Sequence, residues 1–154
     1  MLKKKDATVL GYFRNDARTT LTSMSRKTRI PVSTIFDKLK RFESRDIITK
    51  HTTIVNFKEI GYDVRVSLLL RCEDGMKDEV RDRLEKNDKI NTLVRINNGY
   101  DYLCEAIFRD MDSYDTFMTE LRTAPIADYE TYFMMEDVKK EAFLTYNERL
   151  GVNT

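Results

Sequence analysis

With 154 residues, 41% of them hydrophobic, the chain is long enough for one ordinary domain or two small ones, and 27 Lys/Arg against 26 Asp/Glu give a net charge of +1 that points to no partner by itself. No apolar run approaches the ~20 residues of a membrane helix, and the basic N-terminus "MLKKKDATVL" is followed by too short an apolar stretch for a signal peptide. Cys72 and Cys104 form no CxxC pair and read as reduced core thiols of a soluble, cytoplasmic protein.

The average charge conceals a split. Residues 1–60 carry 14 Lys/Arg against 6 Asp/Glu, whereas residues 61–154 carry 13 against 20. A basic half joined to an acidic half suggests two different domains, with a nucleic acid or another acidic surface as the partner of the first.

In the basic half, Asp6 is a candidate cap for a first helix whose Val9, Leu10 and Phe13 face inward, with Asn15 and Asp16 as stop residues. Thr20 caps a short second helix, "LTSMSRKT", with only Leu21 and Met24 as large inward residues. Pro31 marks a break and suits the first turn of a third helix from about Ser33, in which Ile35, Leu39 and Phe42 make one apolar stripe. Thr34, Lys38, Arg41 and Arg45 repeat at the same steps on another face. Three short helices with a tight connection between the second and third fit a helix-turn-helix, whose third element enters the DNA major groove. Ser33 and Thr34 suit close base or backbone contacts there, and Lys38, Arg41 and Arg45 suit phosphate or guanine. Asp37 is placed to accept from cytosine or to pair with Arg41 one turn on. The β-branched stretch "DIITKHTTIVNF" then reads as a strand or small wing leading out of the unit.

The acidic half reads as a strand over 64–72, a helix over 76–87 with Val80 and Leu84 inward, and a strand over 90–97. A two-residue Asn98-Gly99 hairpin and a returning strand over 100–109 follow. Next come a helix capped by Asp112 or Ser113 with Phe117 and Leu121 inward, a last strand over 126–135, and a closing helix over 137–150. The order β-α-β-β-α-β is the ferredoxin-like split arrangement. Its helices cover one sheet face; Leu103, Tyr132 and Met134 make the other face apolar enough to bury against a second copy. The cluster Tyr129, Tyr132, Phe133, Met134 and Met135 fits a last strand and dimer surface better than a cofactor box.

In its order and spacing of motifs the chain resembles the Lrp/AsnC family of leucine-responsive, or feast/famine, transcription regulators, from Asp6 to about Leu144. "DATVLGYFRNDART" is similar to the family's D-x-x-I-L-x-x-L-x-x-D-x-R, and "KLKRFESRDII" to its R-V-x-x-L-E-x-x-G-x-I. "YDYLCEAI" and "VKKEAFL" are similar to its hairpin return and its ending. The resemblance implies an α+β chain: a winged helix-turn-helix over 1–48, a connecting strand or hinge over 49–61, and a ferredoxin-like dimerisation and effector-binding domain over 62–154 with a C-terminal helix. It implies double-stranded DNA as partner, a homodimer that in this family often builds tetramers, octamers or discs, and an amino-acid effector bound near Asn97, Asn98, Gly99, Tyr100 and Asp101. Three positions depart from the family's pattern. Arg29 and Asp46 stand where glycine is usual, and Asn98 stands at the hairpin glycine with Gly99 after it. A site that favours positive φ then carries a side chain, at some cost.

Two other readings compete. One is a metabolite-sensing or interaction module whose helix-turn-helix no longer reads DNA, suggested by the thin second helix and by Arg29. The other is an enzyme similar to the decarboxylases of modified haem precursors, which share the two-part architecture. Against catalysis, the chain has a single histidine, His51, in the expected connecting strand, and no Walker loop, HExxH motif or local Ser-His-Asp set. Neither a cofactor nor a metal is expected.

Overall fold

The computed structural model, described over residues 3–147 and 152–153, divides into two compact units: Met1–Ile54 with Val138–Thr154, and Val55–Asp137.

In the first unit, three helices form where apolar residues recur at helical spacing: α1 (Lys4–Asn15), α2 (Leu21–Thr28) and α3 (Val32–Ser44). Val9, Met24, Ile35 and Phe42 meet in its core and are all but completely buried. The thin second helix is real. Its N-cap Thr20 accepts a hydrogen bond from the Ser23 amide at 3.2 Å, leaving one fewer orphan donor in its first turn. Asp6 does not cap α1; Lys3 occupies that position, and the Asp6 side chain turns into the unit, where it is buried.

Both α2 and α3 end in left-handed residues. Arg29 has φ 57° and its amide donates to the Ser25 carbonyl at 2.9 Å, a single-bond left-handed stop. Asp46 has φ 54°. Its amide donates to Glu43 O at 3.1 Å and the next amide, of Ile47, reaches back to Phe42 O at 2.8 Å, which is the two-bond Schellman closure. These are two of the three positions where the sequence departs from the family's glycine.

Beyond α3 the expected strand does not form. Residues 49–56 have no ladder partner among the described residues and are all exposed. β-branched composition makes a strand only where a neighbouring edge supplies hydrogen bonds. A 3-10 turn, Phe57–Ile60, ends on Gly61 at φ 84°.

The closing helix is also absent over 137–147; its end at 148–150 lies outside the described residues. Glu141 and Leu144 have φ of 50° and 58°, which no right-handed helix accommodates. The carbonyls of Glu141 and Phe143 are satisfied instead by the Arg14 guanidinium at 3.1 and 3.2 Å, and the Glu141 carboxylate pairs with it at 2.8 Å. Leu144 packs on the α1 core, and the backbone of 146–147 (β5) pairs with 152–153 (β6). This segment therefore belongs with the first unit, not with the sheet as the sequence suggests.

The second unit is an antiparallel sheet of β1 (Val64–Cys72), β2 (Ile90–Arg95), β3 (Tyr102–Phe108) and β4 (Ile126–Phe133), in the order β2-β3-β1-β4. With α4 (Lys77–Glu85) and α5 (Met111–Leu121) inserted after β1 and β3, it has the split β-α-β order read from the sequence. Alternate residues Val66, Leu68, Leu70 and Cys72 face Val80, Leu84, Phe117 and Leu121 in one core. Asp110, rather than Asp112 or Ser113, caps α5 by accepting from the Ser113 amide at 2.8 Å. Both cysteines are free and buried, and burial pushes the Cys104 thiol up to about 12.

The opposite sheet face is mixed rather than apolar. Leu69 and Leu103 lie side by side on it, but Arg65 bridges Glu105 and Asp137, each at 2.9 Å, and Arg71 pairs with Asp128 at 3.1 Å.

Arg29→Gly and Asp46→Gly should each raise stability by about 0.5–1 kcal/mol, because a left-handed side chain costs ~1–2 kcal/mol and glycine's extra chain entropy returns part of that. Thermal melts should show each variant a few degrees above wild type. Unchanged or lower midpoints would show that the side chains compensate their own strain.

Candidate functional site

Two places concentrate polar groups: the outer surface of α3, and the end of the sheet where the β2–β3 connection meets α4.

On α3, burying Ile35 and Phe42 fixes which residues point away. Ser33, Phe36, Asp37, Lys40 and Ser44 lie on the far side and are exposed. Phe36, 43% exposed, carries Lys40 Nζ 4.7 Å above its ring. Thr34, Lys38, Arg41 and Arg45 run along the flank. The structure divides that sequence-derived set. Ser33, Arg41 and Arg45 are exposed, whereas Thr34 and Lys38 are half-buried. The Lys38 ammonium is bonded to the Asp6 carboxylate of α1, and its side chain is only 15% exposed. Arg41 Nη2 meets the same Asp6 oxygen at 2.8 Å while its side chain stays 42% exposed. Asp6, not Asp37, is thus the partner of Arg41. Burial pushes the Asp6 carboxyl up, but the two cations outweigh it and hold the group below its ordinary value. His51, exposed after α3, lies 3.1 Å from the Glu43 carboxylate.

Helical repeat spacing located the charged strip but not its tilt toward α1. The signal missed was Asp6 itself, an acidic residue at the head of the apolar run of α1 with two cations on a later helix within reach.

In the second unit, Asn98 and Gly99 have φ of 72° and 94°, as a type I′ turn demands. The strands close less tightly than expected: Ile96 N–H donates to Asp101 O at 2.9 Å, leaving 97–100 as the loop. Asp101 is tied down three ways. Its amide donates to Leu70 O at 2.8 Å, one carboxylate oxygen accepts from the Cys72 amide at 2.9 Å, and the other meets Lys77 Nζ at 2.6 Å. The Lys77 ammonium and the Cys72 amide hold its carboxyl below the usual value. Tyr100 reaches the other way, donating to Glu130 at 2.6 Å, and that bond pushes its hydroxyl up to about 12. Tyr132 donates to the same carboxylate. Beside this connection an open cleft of about 810 Å³ lies between α4 and β2. None of Asn97 to Asp101 lines it.

Among the described residues no group of three or more His, Cys, Asp or Glu is placed to hold a metal, and no helix is long and apolar enough to cross a membrane.

Residues 65–143 match the family model described as the Lrp/AsnC ligand binding domain. The chain belongs to the Lrp/AsnC family. The HTH-type transcriptional regulator Ptr1 of Methanocaldococcus jannaschii is 28% identical over 120 residues, covering 78% of this chain and 81% of that protein. Among solved structures, a transcriptional regulator of Neisseria meningitidis in complex with L-methionine shares the fold at a TM-score of 0.83 and 17% identity, over 91% of this chain and 94% of the other. Escherichia coli AsnC does so at 0.80 and 18%, over 91% and 96%. This Lrp/AsnC chain is a DNA-binding transcription regulator and not an enzyme, which retires the decarboxylase reading.

Asp6→Asn should destabilise the first unit by about 2 kcal/mol, the scale of hydrogen bonds to charged groups, since it leaves Lys38 without its counter-charge. Because the folded carboxyl titrates below its unfolded value of 3.8, the Asp6 contribution is complete above that pH and is lost as pH falls through the folded value. Denaturant titrations at pH 7 and pH 3 should therefore show the gap between wild type and Asp6→Asn narrowing in acid. A gap that stays constant would contradict this role.

Proposed function

We propose that α2, the Arg29–Pro31 connection and α3 form a helix-turn-helix that places α3 in the DNA major groove, and that the chain is a sequence-preferring, homodimeric regulator of the cytoplasm. The observation that supports this most is the outer surface of α3, which presents Ser33, Phe36 and Lys40 clear of the core with Arg41 and Arg45 along its flank. Lys40, Arg41 and Arg45 supply phosphate or guanine contacts, and Ser33 and Thr34 approach bases or backbone closely. Lys38 takes a different part from the one its spacing suggests: its bond to Asp6 makes it a strut that sets the helix, with Arg41 shared between strut and contact. The stretch after α3 forms no wing strand, so this is a helix-turn-helix without a paired wing.

The exposed sheet face joins two protomers, Leu69 and Leu103 supplying apolar area at its centre. Two heads in one dimer favour a pseudo-palindromic site. Larger assemblies, tetramers or octamers, follow the family's habit. The second unit senses a small metabolite, an amino acid by analogy with the L-methionine complex of the Neisseria protein, with the turn Asn97–Asp101 as the responsive element. Effector and DNA then act on each other reciprocally through head spacing.

The test is fluorescence anisotropy with random-sequence duplexes across a salt series. Each phosphate-contacting cation contributes about one unit to the log–log salt slope. Lys40→Ala/Arg45→Ala should bind more weakly than wild type with a slope flatter by about two units. Wild type that binds no duplex at low salt would overturn the reading.

A further inference from the structure

The outward strip of α3 carries two residues that the DNA contacts assigned above leave without a task, Phe36 and Asp37. Val32, Ser33, Phe36, Asp37 and Lys40 are all exposed and follow the steps i, i+1, i+4, i+5 and i+8, so they lie together on the side away from Ile35 and Phe42. Val32 and Phe36, one turn apart, are 41% and 43% exposed. They make an apolar patch on the first two turns of an otherwise polar helix surface, and Phe36 takes no part in the core of the unit. A single exposed apolar side chain is ordinary, whereas two side by side call for a partner.

Position and chemistry narrow that partner. The N-terminal residues of a groove-bound helix are the ones that reach base edges, and Phe36 is the fifth residue of α3. The apolar group that the major groove of B-DNA offers is the 5-methyl of thymine. Lys40 Nζ lies 4.7 Å above the Phe36 ring, so the ring comes with a cation that can meet the phosphate flanking the base it covers. Asp37 adds a second restriction. Arg41, one turn on, is taken by Asp6, and no ion pair among the described residues includes Asp37. A carboxylate with no cation of its own is repelled by phosphates and by the acceptor atoms of guanine and thymine. The base edge that answers it is the 4-amino group of cytosine.

We propose that Phe36, flanked by Val32, packs on the 5-methyl of a thymine and that Asp37 accepts from the 4-amino group of a cytosine in a neighbouring base pair. This rests on the reading of α3 as the groove helix and names the residues of that helix that choose between bases. Lys40 and Arg45 hold the helix to the backbone; Phe36 and Asp37 select the sequence beneath it.

The experiment starts with the full wild-type chain selecting duplexes from a random pool. The selected duplex is then resynthesised with each thymine in turn replaced by deoxyuridine, which removes only the methyl group. Fluorescence anisotropy should show one thymine per half-site at which the replacement weakens binding about three- to fivefold, the scale of one buried methyl. This comparison uses wild type alone and needs no variant to fold. Phe36→Ala should bind the thymine and deoxyuridine duplexes alike, and Phe36→Leu should keep part of the difference. Asp37→Asn, selected afresh from the same pool, should exchange the cytosine for adenine, whose N6 amine and N7 an amide meets together. No thymine sensitive to its methyl, a sensitivity that survives in Phe36→Ala, or an unchanged selected site for Asp37→Asn overturns the proposal. Duplex binding that is indifferent to sequence rejects this reader and leaves α3 a phosphate-binding helix. Wild type that binds no duplex at low salt removes the groove reading itself, and the proposal with it.

Discussion

The carboxylate of Asp6 is the point on which the first unit turns. It is buried, it comes from α1, and both of its partners, Lys38 and Arg41, come from α3. A buried charge is tolerated only when paired, so once Asp6 is inside, α3 must present its Lys38–Arg41 flank to α1. Ile35 and Phe42 then complete the core from the adjacent side, and the Ser33–Phe36–Lys40 strip faces away. The ion pair thus does for the rotation of α3 what the apolar stripe does for its depth. It specifies which residues of α3 face away from the unit, and so which could read DNA under the proposed function.

The second unit uses the same device. Asp101 joins the end of β1, the start of β3 and the head of α4 through one carboxylate and one amide. In each unit an acidic residue ties separate elements together where function is expected. The difference is exposure. Lys38 is sheltered, while the Lys77 side chain is half in solvent, where an exposed pair contributes little and exchanges readily. One tie is suited to hold and the other to yield.

Much of this was legible in the sequence, for reasons that can be stated. The β1 strand, α2 with its Thr20 cap and the core residues of both units follow from period and capping, which are local signals. The Asn98-Gly99 turn follows from backbone sterics, whereas the positive φ of Arg29 was legible only through the resemblance, as the place where the family carries glycine. Apart from the caps of α1 and α5, which shift by a few residues, the misses share a different cause: each depends on a partner distant in sequence. The β-branched run after α3 lacks an edge to pair with. Residues 138–147 are held by Arg14, far back in α1, in place of a helix. Lys38 has the spacing of a groove contact, but Asp6, 32 residues earlier, takes it.

The most direct test is the double variant Asp6→Asn/Lys38→Met, which removes the buried pair while keeping both shapes, with DNA affinity read against salt. If Lys38 sets the helix without touching phosphate, a folded double variant should keep the wild-type salt slope. A slope flatter by about one unit would show Lys38 reaching a phosphate and would contradict the division of α3 into strut and reading strip.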